Sequence, residues 1–192
     1  MTTTIYTLES ANMICGDTGD ATAPGISTHL ILQEIKLPGL EENYVDHAPG
    51  GASIAIEIPT HMNRLEATFN LAGWDPDIMT FISREERRYQ RFSFYGLIRD
   101  RRTSEALQGY GVMEGRIGRV NPTAFRKGDL MAHEYSIRSI THYELYMQLG
   151  KGEEPWEVYW WDFFTSTKRI GGEDQNKDLV QLLALPAVAV GA

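Results

Sequence analysis

One cysteine, Cys15, stands in 192 residues. No intrachain disulfide can form, and no cysteine-based zinc cluster can be built. The expected state of Cys15 is a buried free thiol, with an intermolecular bond to another protein as the alternative. Long apolar runs are absent as well. None approaches the roughly 20 residues that a membrane-spanning helix needs. The N-terminal MTTTIYTLESAN has no charged stretch followed by an apolar one, so no signal peptide is expected. Catalytic signatures are missing too: there is no G-x-S-x-G, H-E-x-x-H, P-loop or dinucleotide glycine fingerprint. The five histidines, His29, His47, His61, His133 and His142, are scattered. Asp17 and Asp20 lack the spacing and closing Glu of a calcium loop. The expectation is therefore no catalytic site, no cofactor and no metal.

Basic residues are scarce in the first part of the chain. Residues 1–80 hold Lys36 and Arg64 against 11 acidic side chains, whereas residues 84–127 hold 11 basic against 5 acidic. The net charge is -8. An acidic chain is a poor DNA binder, because affinity for DNA comes from neutralising phosphates. A split of this kind suits an acidic part of one copy meeting a basic part of another.

What is present is strand. Three extended pieces are read in one stretch: His29 to Leu37, Ser53 to Ile58, and Leu65 to Leu71. Between the first two lies a polar segment, Pro38 to Gly51, far longer than a tight turn requires. A long connection without catalytic residues is expected to bind another protein. In the second piece Ile54, Ile56 and Ile58 share a face that is expected to meet the core. Ser53, Ala55 and Glu57 then face water.

Further strands are expected from Ile5 to Ile14, in a hairpin of Arg91 to Asp100 with Leu107 to Val120, and over Met131 to Gln148 with a bend. One more is expected over Trp156 to Phe164, as a core strand or as a subunit interface. In the hairpin, Tyr110, Val112, Glu114 and Arg116 are placed on one face, and Gly109, Gly111, Met113, Gly115 and Ile117 on the other. Glycine at so many positions of one face leaves room for a neighbouring layer. Asp75-Pro76-Asp77 opens a helix expected to reach Arg88. Asn176 is expected to cap a short one through Leu183, with Leu179, Leu182 and Leu183 inward. The expected fold is mainly β: one domain over 1–192, an antiparallel β-sandwich or partly open barrel of seven or eight strands with one flanking α-helix.

Residues along the whole chain resemble one family in order. Asn12-Met13, Leu37-Pro38, Tyr44, Gly50-Gly51, Leu65-Glu66 and Gly73 are similar to the N-terminal half of the major tail tube protein of contractile-tailed bacteriophages. Phe92 to Asp100, Met113 to Ile117 and Gly128-Asp129 resemble its middle, and Ile170-Gly171-Gly172 with Asp178-Leu179 its C-terminal segment, within an extension over 166–192. Pro49-Gly50-Gly51 is shorter in glycine than the family's run.

The resemblance implies a structural virion protein. It would form homohexameric rings in which each subunit gives a sheet to one inner β-barrel, and the rings would stack into a tail tube. Implied partners are other copies of itself, the sheath protein, the tape-measure protein, the baseplate and tail terminator. Phage DNA would pass through without sequence-specific binding. The place is the virion, with assembly in the host cytoplasm. Ser53, Ala55, Glu57 and Glu114 are then expected to line the lumen. Leu40, Glu41, Glu42, Tyr44, Asp46, His47, Gly50 and Gly51 are expected to make contacts within or between rings. Cys15 is the candidate intermolecular thiol. The tube of a headless contractile bacteriocin, a type VI secretion tube and a small-ligand-binding β-barrel stay open as other readings.

Overall fold

The computed structural model describes residues 4–18, 25–48, 50–51, 53–82, 89–124, 126–128 and 130–183. The two longest strands, β8 (Ala106–Pro122) and β9 (Ala132–Met147), form the spine. They pair antiparallel from Gly109–Met147 to Pro122–His133. Neither runs straight. The register shifts between Glu114 and Arg116 and again between Ile117 and Arg119, and Ser139 on β9 has φ of 51°. Bulges of this kind bend a strand and increase its twist. The bend expected in this stretch is therefore real, and it divides the sheet into two leaves.

Leaf one uses the first half of β8 and the second half of β9. Beyond β8 come β7 (Gln90–Asp100), β1 (Tyr6–Cys15) and the two-residue β2 (Ile26–Ser27). Beyond β9 come β10 (Trp156–Asp162), β11 (Thr167–Ile170) and β12 (Glu173–Asp174). Leaf two uses the other halves. There β9 pairs with β6 (Ala67–Ala72), and β6 with β3 (Leu32–Lys36). Because β9 is shared, both leaves belong to one ten-stranded sheet that is not closed into a barrel.

The leaves fold over one core. Phe92, Phe94, Met113, Tyr143 and Tyr159 come from leaf one, and Ala67, Phe69, Leu71, Tyr135, Ile137 and Ile117 from leaf two. Met13 and Cys15 join them from β1, with no exposed surface. Alternation makes this possible: β6 reads buried at Ala67, Phe69 and Leu71 and half-buried between. The glycines of β8 serve the same packing. A Cβ at Gly111 would collide with the Phe94 ring and stand 2.5 Å from the Glu144 carbonyl. At Gly115 it would lie 2.8 Å from Ile137. The room left by these glycines is filled by the chain's own side chains.

Several expectations need correction. Strands number more than seven or eight. The segment 38–51 is not a loop: it contains β4 (Glu42–His47), which pairs with β5 (Ile56–Met62) as a separate two-stranded hairpin. Ile54, Ile56 and Ile58 do not meet the core; they are 77%, 57% and 44% exposed. The first helix, α1 (Pro76–Met79), starts as expected, with Asp75 accepting from the Asp77 and Ile78 N–H groups. Its continuation over 83–88, with Arg84, Arg87 and Arg88, lies outside the described residues. The second, α2 (Lys177–Leu182), follows Asn176, whose Nδ2 donates to the Ser166 carbonyl rather than capping. Leu179, Leu182 and Leu183 are exposed, not inward.

Candidate functional site

The β4–β5 hairpin projects from the body, and every residue of it except Asn43 and Met62 is exposed. Its base is fastened. Asn63 N–H donates to the Glu41 carbonyl at 2.8 Å, Asn43 Nδ2 donates to Asn63 Oδ1 at 2.5 Å, and Asn63 Nδ2 donates to Glu41 at 3.0 Å. Tyr44 donates its hydroxyl to Glu42, which pushes the phenol's pKa up. The register opposes Val45 to Ile58, Asp46 to Glu57 and His47 to Ile56. One face therefore shows Val45, His47, Ile56 and Ile58, mostly apolar, and the other Tyr44, Asp46, Glu57 and Pro59. Like charges directly opposite each other destabilise a strand pair. An apolar face without a core beneath it is an interaction surface.

Among the residues expected to make contacts, Glu42, Tyr44, Asp46 and His47 lie on this hairpin. Leu40 and Glu41 lead into it, and Gly50 and Gly51 sit in its tip turn. The structure thus gathers them on one element. It does not gather the expected lumen set. Glu57 is in β5, Ser53 and Ala55 precede that strand, and Glu114 belongs to β8 in the other sheet. Cys15 is fully buried, and burial, followed by the charge of Asp75, pushes its pKa up to about 12. A disulfide to another protein would first have to expose it.

Two bare sheet faces remain. On leaf one, Glu114 stands between Arg91 and His142. His142 is hydrogen-bonded to Glu144 and, at 3.1 Å, to Asp162, with Trp160 edge-on at 5.2 Å. Glu157 pairs with Arg169 at 2.8 Å, and Arg169 lies over Trp160. Tyr95, Tyr110 and Tyr146 stack across β7, β8 and β9. The contacts of His142 on β9 with Asp162 and Trp160 on β10 make the cluster a cross-strand clamp.

Burial works against the charged form of His142, but its bonds to Glu144 and then Asp162 outweigh burial and raise the pKa. Burial would raise Glu144, and the His142 bond outweighs it and lowers that carboxyl. A raised histidine stabilises fully below the ordinary value of 6.5, and that contribution is lost as pH climbs through the folded value. The lowered carboxylate acts oppositely, losing its contribution as pH falls through its own folded value. His142→Ala is thus expected to lower stability by more at pH 5.5 than at pH 9, by about 1–3 kcal/mol at the acid end. Equal losses at both pH values, by calorimetry, would show that the clamp is uncharged.

On leaf two the bare face carries smaller groups. Thr68 and Asn70 lie beside Arg138 bound to Glu66 at 3.0 Å and Arg119 bound to Glu134 at 2.6 Å, and Ser136 between them is fully buried. Sequence reasoning does not assemble these residues into one face, because two crossing strand patterns must be combined to see it. Between the hairpin base and β9–β11 opens a cavity of about 1000 Å³, bordered by Met62, Leu65, Ile140, Tyr159, Trp161 and Leu179. Among the described residues, no group of three or more His, Cys, Asp or Glu is placed to hold a metal ion. No helix among them is long and apolar enough to cross a membrane.

The family model for phage tail tube protein FII matches residues 22–183. No curated protein matches the sequence. Among solved structures, a chain of the anti-feeding prophage baseplate, determined by cryo-EM with six-fold symmetry applied, superposes with a TM-score of 0.54. The alignment covers 76% of this chain and 97% of that one at 11% identity. At that identity the likeness is one of fold.

Proposed function

The chain belongs to the family of phage tail tube protein FII, and from that premise we propose that it assembles through its protruding hairpin into stacked hexameric rings. It is a structural protein of the tail tube. The observation that carries the assembly reading is the β4–β5 hairpin. Its apolar face of Val45, Ile56 and Ile58 has no core beneath it. Such a face in a tube subunit is covered by a neighbouring copy. Heterologous contacts of that kind close a ring and leave both ends free to stack.

On this reading Leu40, Glu41, Glu42, Tyr44, Asp46, His47, Gly50 and Gly51 contact the neighbour. The sheath protein surrounds the tube, and the tape-measure protein and then DNA occupy its channel. The baseplate and tail terminator bound its ends. The protein works in the virion as a wall and a conduit, not as an enzyme. The tube of a headless contractile particle is the second reading, and the fold shared with the anti-feeding prophage chain is compatible with it without favouring it. The monomer serves either use.

Negative-stain electron microscopy of the purified protein, with light scattering after size exclusion, tests the assembly. Hollow six-fold rings or tubes are expected. A monomer at all concentrations, even when co-expressed with the neighbouring tail genes, would count against it.

A further inference from the structure

The cavity of about 1000 Å³ beside the hairpin base has His61 and Met62 on one wall and Tyr159, Trp161 and Phe163 on the other. Its lining is mainly apolar. The volume equals that of a cube about 10 Å on edge. Packed sheets lie about 10 Å apart, so a space of this width takes one extended segment with its side chains. Removing the apolar lining from water is favourable in proportion to its area.

The chain itself leads to the mouth. Leu179 of α2 borders the cavity. Leu179, Leu182 and Leu183 are spaced to share one helix face, and all three are exposed. This apolar face runs from the cavity rim to Leu183, about 6 Å further along the helix axis. Residues 184–192, which read ALPAVAVGA, follow directly and lie outside the described residues. They carry no charged or hydrogen-bonding side chain, so an apolar cavity strips water from no polar side chain among them. Pro186 cannot continue a helix, and it biases Leu185 before it toward an extended backbone. Val188 and Val190 fall on one face of an extended segment, and β-branched residues favour that form.

Reach and tethering choose the occupant. Residues 184–190, when extended, span up to roughly 25 Å, more than twice the width of the cavity. A segment held beside the mouth by a short tether acts at an effective concentration on the order of millimolar, ahead of any segment of a second copy in dilute solution. We propose that residues 184–190 fold back into the cavity of their own chain and brace the hairpin base against β10 and β11. Arg64 and Lys168, which border the cavity, supply donors for the main-chain carbonyls of the segment. The placement needs no second copy, so it stands or falls apart from the tube reading.

The test uses the full chain with Val188→Cys paired in turn with His61→Cys, Phe163→Cys or Glu173→Cys, treated with a short bismaleimide. Cys15 stays, being buried. His61 and Phe163 stand on opposite walls of the cavity, and Glu173 is exposed on β12 outside its lining. Intact mass is expected to show one reagent joining both thiols of a single chain in the first two pairs, and two separate additions in the third. Equal joining in all three pairs would mean a tail confined nowhere, and joining in none a tail held elsewhere; either overturns the proposal. Linked dimers on a denaturing gel would give the cavity to a second copy and overturn it as well. Val188→Cys alone supplies a second measurement. Its thiol should react at least about tenfold more slowly than that of Glu173→Cys in the folded chain, and equally fast in denaturant. Equal rates in the folded chain would overturn the proposal without any linker.

Discussion

A chain in which Glu42–Met62 is cut out, and Glu41 is joined to Asn63 by Asn-Gly, folds like its parent and forms no tube. The folding half of this expectation follows from where the hairpin sits. None of its described residues belongs to the buried core. Its base is already closed by the bond from Asn63 N–H to the Glu41 carbonyl, 2.8 Å long. A two-residue Asn-Gly turn has the twist that a closed antiparallel pair needs. Changes confined to surface usually cost within about 0.5 kcal/mol, which is about 2 °C in Tm for a chain of this size.

The assembly half follows from the hairpin's apolar face. Val45, Ile56 and Ile58 are each more than two-fifths exposed in the single chain. Covering what they still expose is worth on the order of 1 kcal/mol per side chain. Three together change the association constant by about a hundredfold, since each 1.4 kcal/mol is about tenfold. Val45→Thr with Ile56→Thr and Ile58→Thr keeps the strand propensity while removing that face. This triple variant should therefore assemble at about a hundredfold higher concentration, and the excised chain not at all. Sedimentation and electron microscopy read both. Tubes of normal length from the excised chain would remove the hairpin from the assembly reading.

The same hairpin shows why part of the molecule could not be read from sequence. The apolar positions of β5 alternate cleanly, and alternation does report that one face is apolar. It does not report whose surface covers that face. Assigning Ile54, Ile56 and Ile58 to the chain's own core was the natural inference for a monomer, and it fails because the hairpin stands off the body. β4 is not legible in the sequence because Glu42–His47 is acidic and lies between Pro38 and Gly50, so flanking turn residues mask its weak alternation. Features set by local chemistry were legible. The Asp75-Pro76 helix start, the Arg91–Asp100 hairpin strand and the bend in β9 all appear near where they were expected. The sharing of β9 between β6 and β10 was not legible. It depends on two bulges and a positive φ at Ser139, which act over strands more than 60 residues apart. The leaf-two face is invisible for that reason, while Glu114 could be seen on a local hairpin.

Phe69→Ala is expected to lower Tm by about 6–20 °C. Phe69 lies at the middle of β6, the strand that joins β3 to β9, and it is 1% exposed. Its ring stacks on Tyr135 with centroids 4.9 Å apart and planes 5° from parallel. Ile35 stands beside it on β3 in register. Removing a buried phenylalanine ring typically costs about 3–5 kcal/mol, because the transfer energy is lost and the cavity collapses only in part. For a chain of this size each kcal/mol shifts Tm by about 2–4 °C. Total stability of a domain is about 5–15 kcal/mol, so the variant keeps a folded majority at room temperature only if the parent lies above the lower end. Tyr135 adds to the cost, since its ring loses the stack. Phe69→Leu refills most of the space and should recover most of the loss. The pair separates packing from assembly. Phe69 faces the core and not the bare face, so Phe69→Leu should still build tubes when kept well below its Tm. Calorimetry of both variants decides the matter: a shift of less than about 3 °C for Phe69→Ala would mean that leaf two is not packed on leaf one as described.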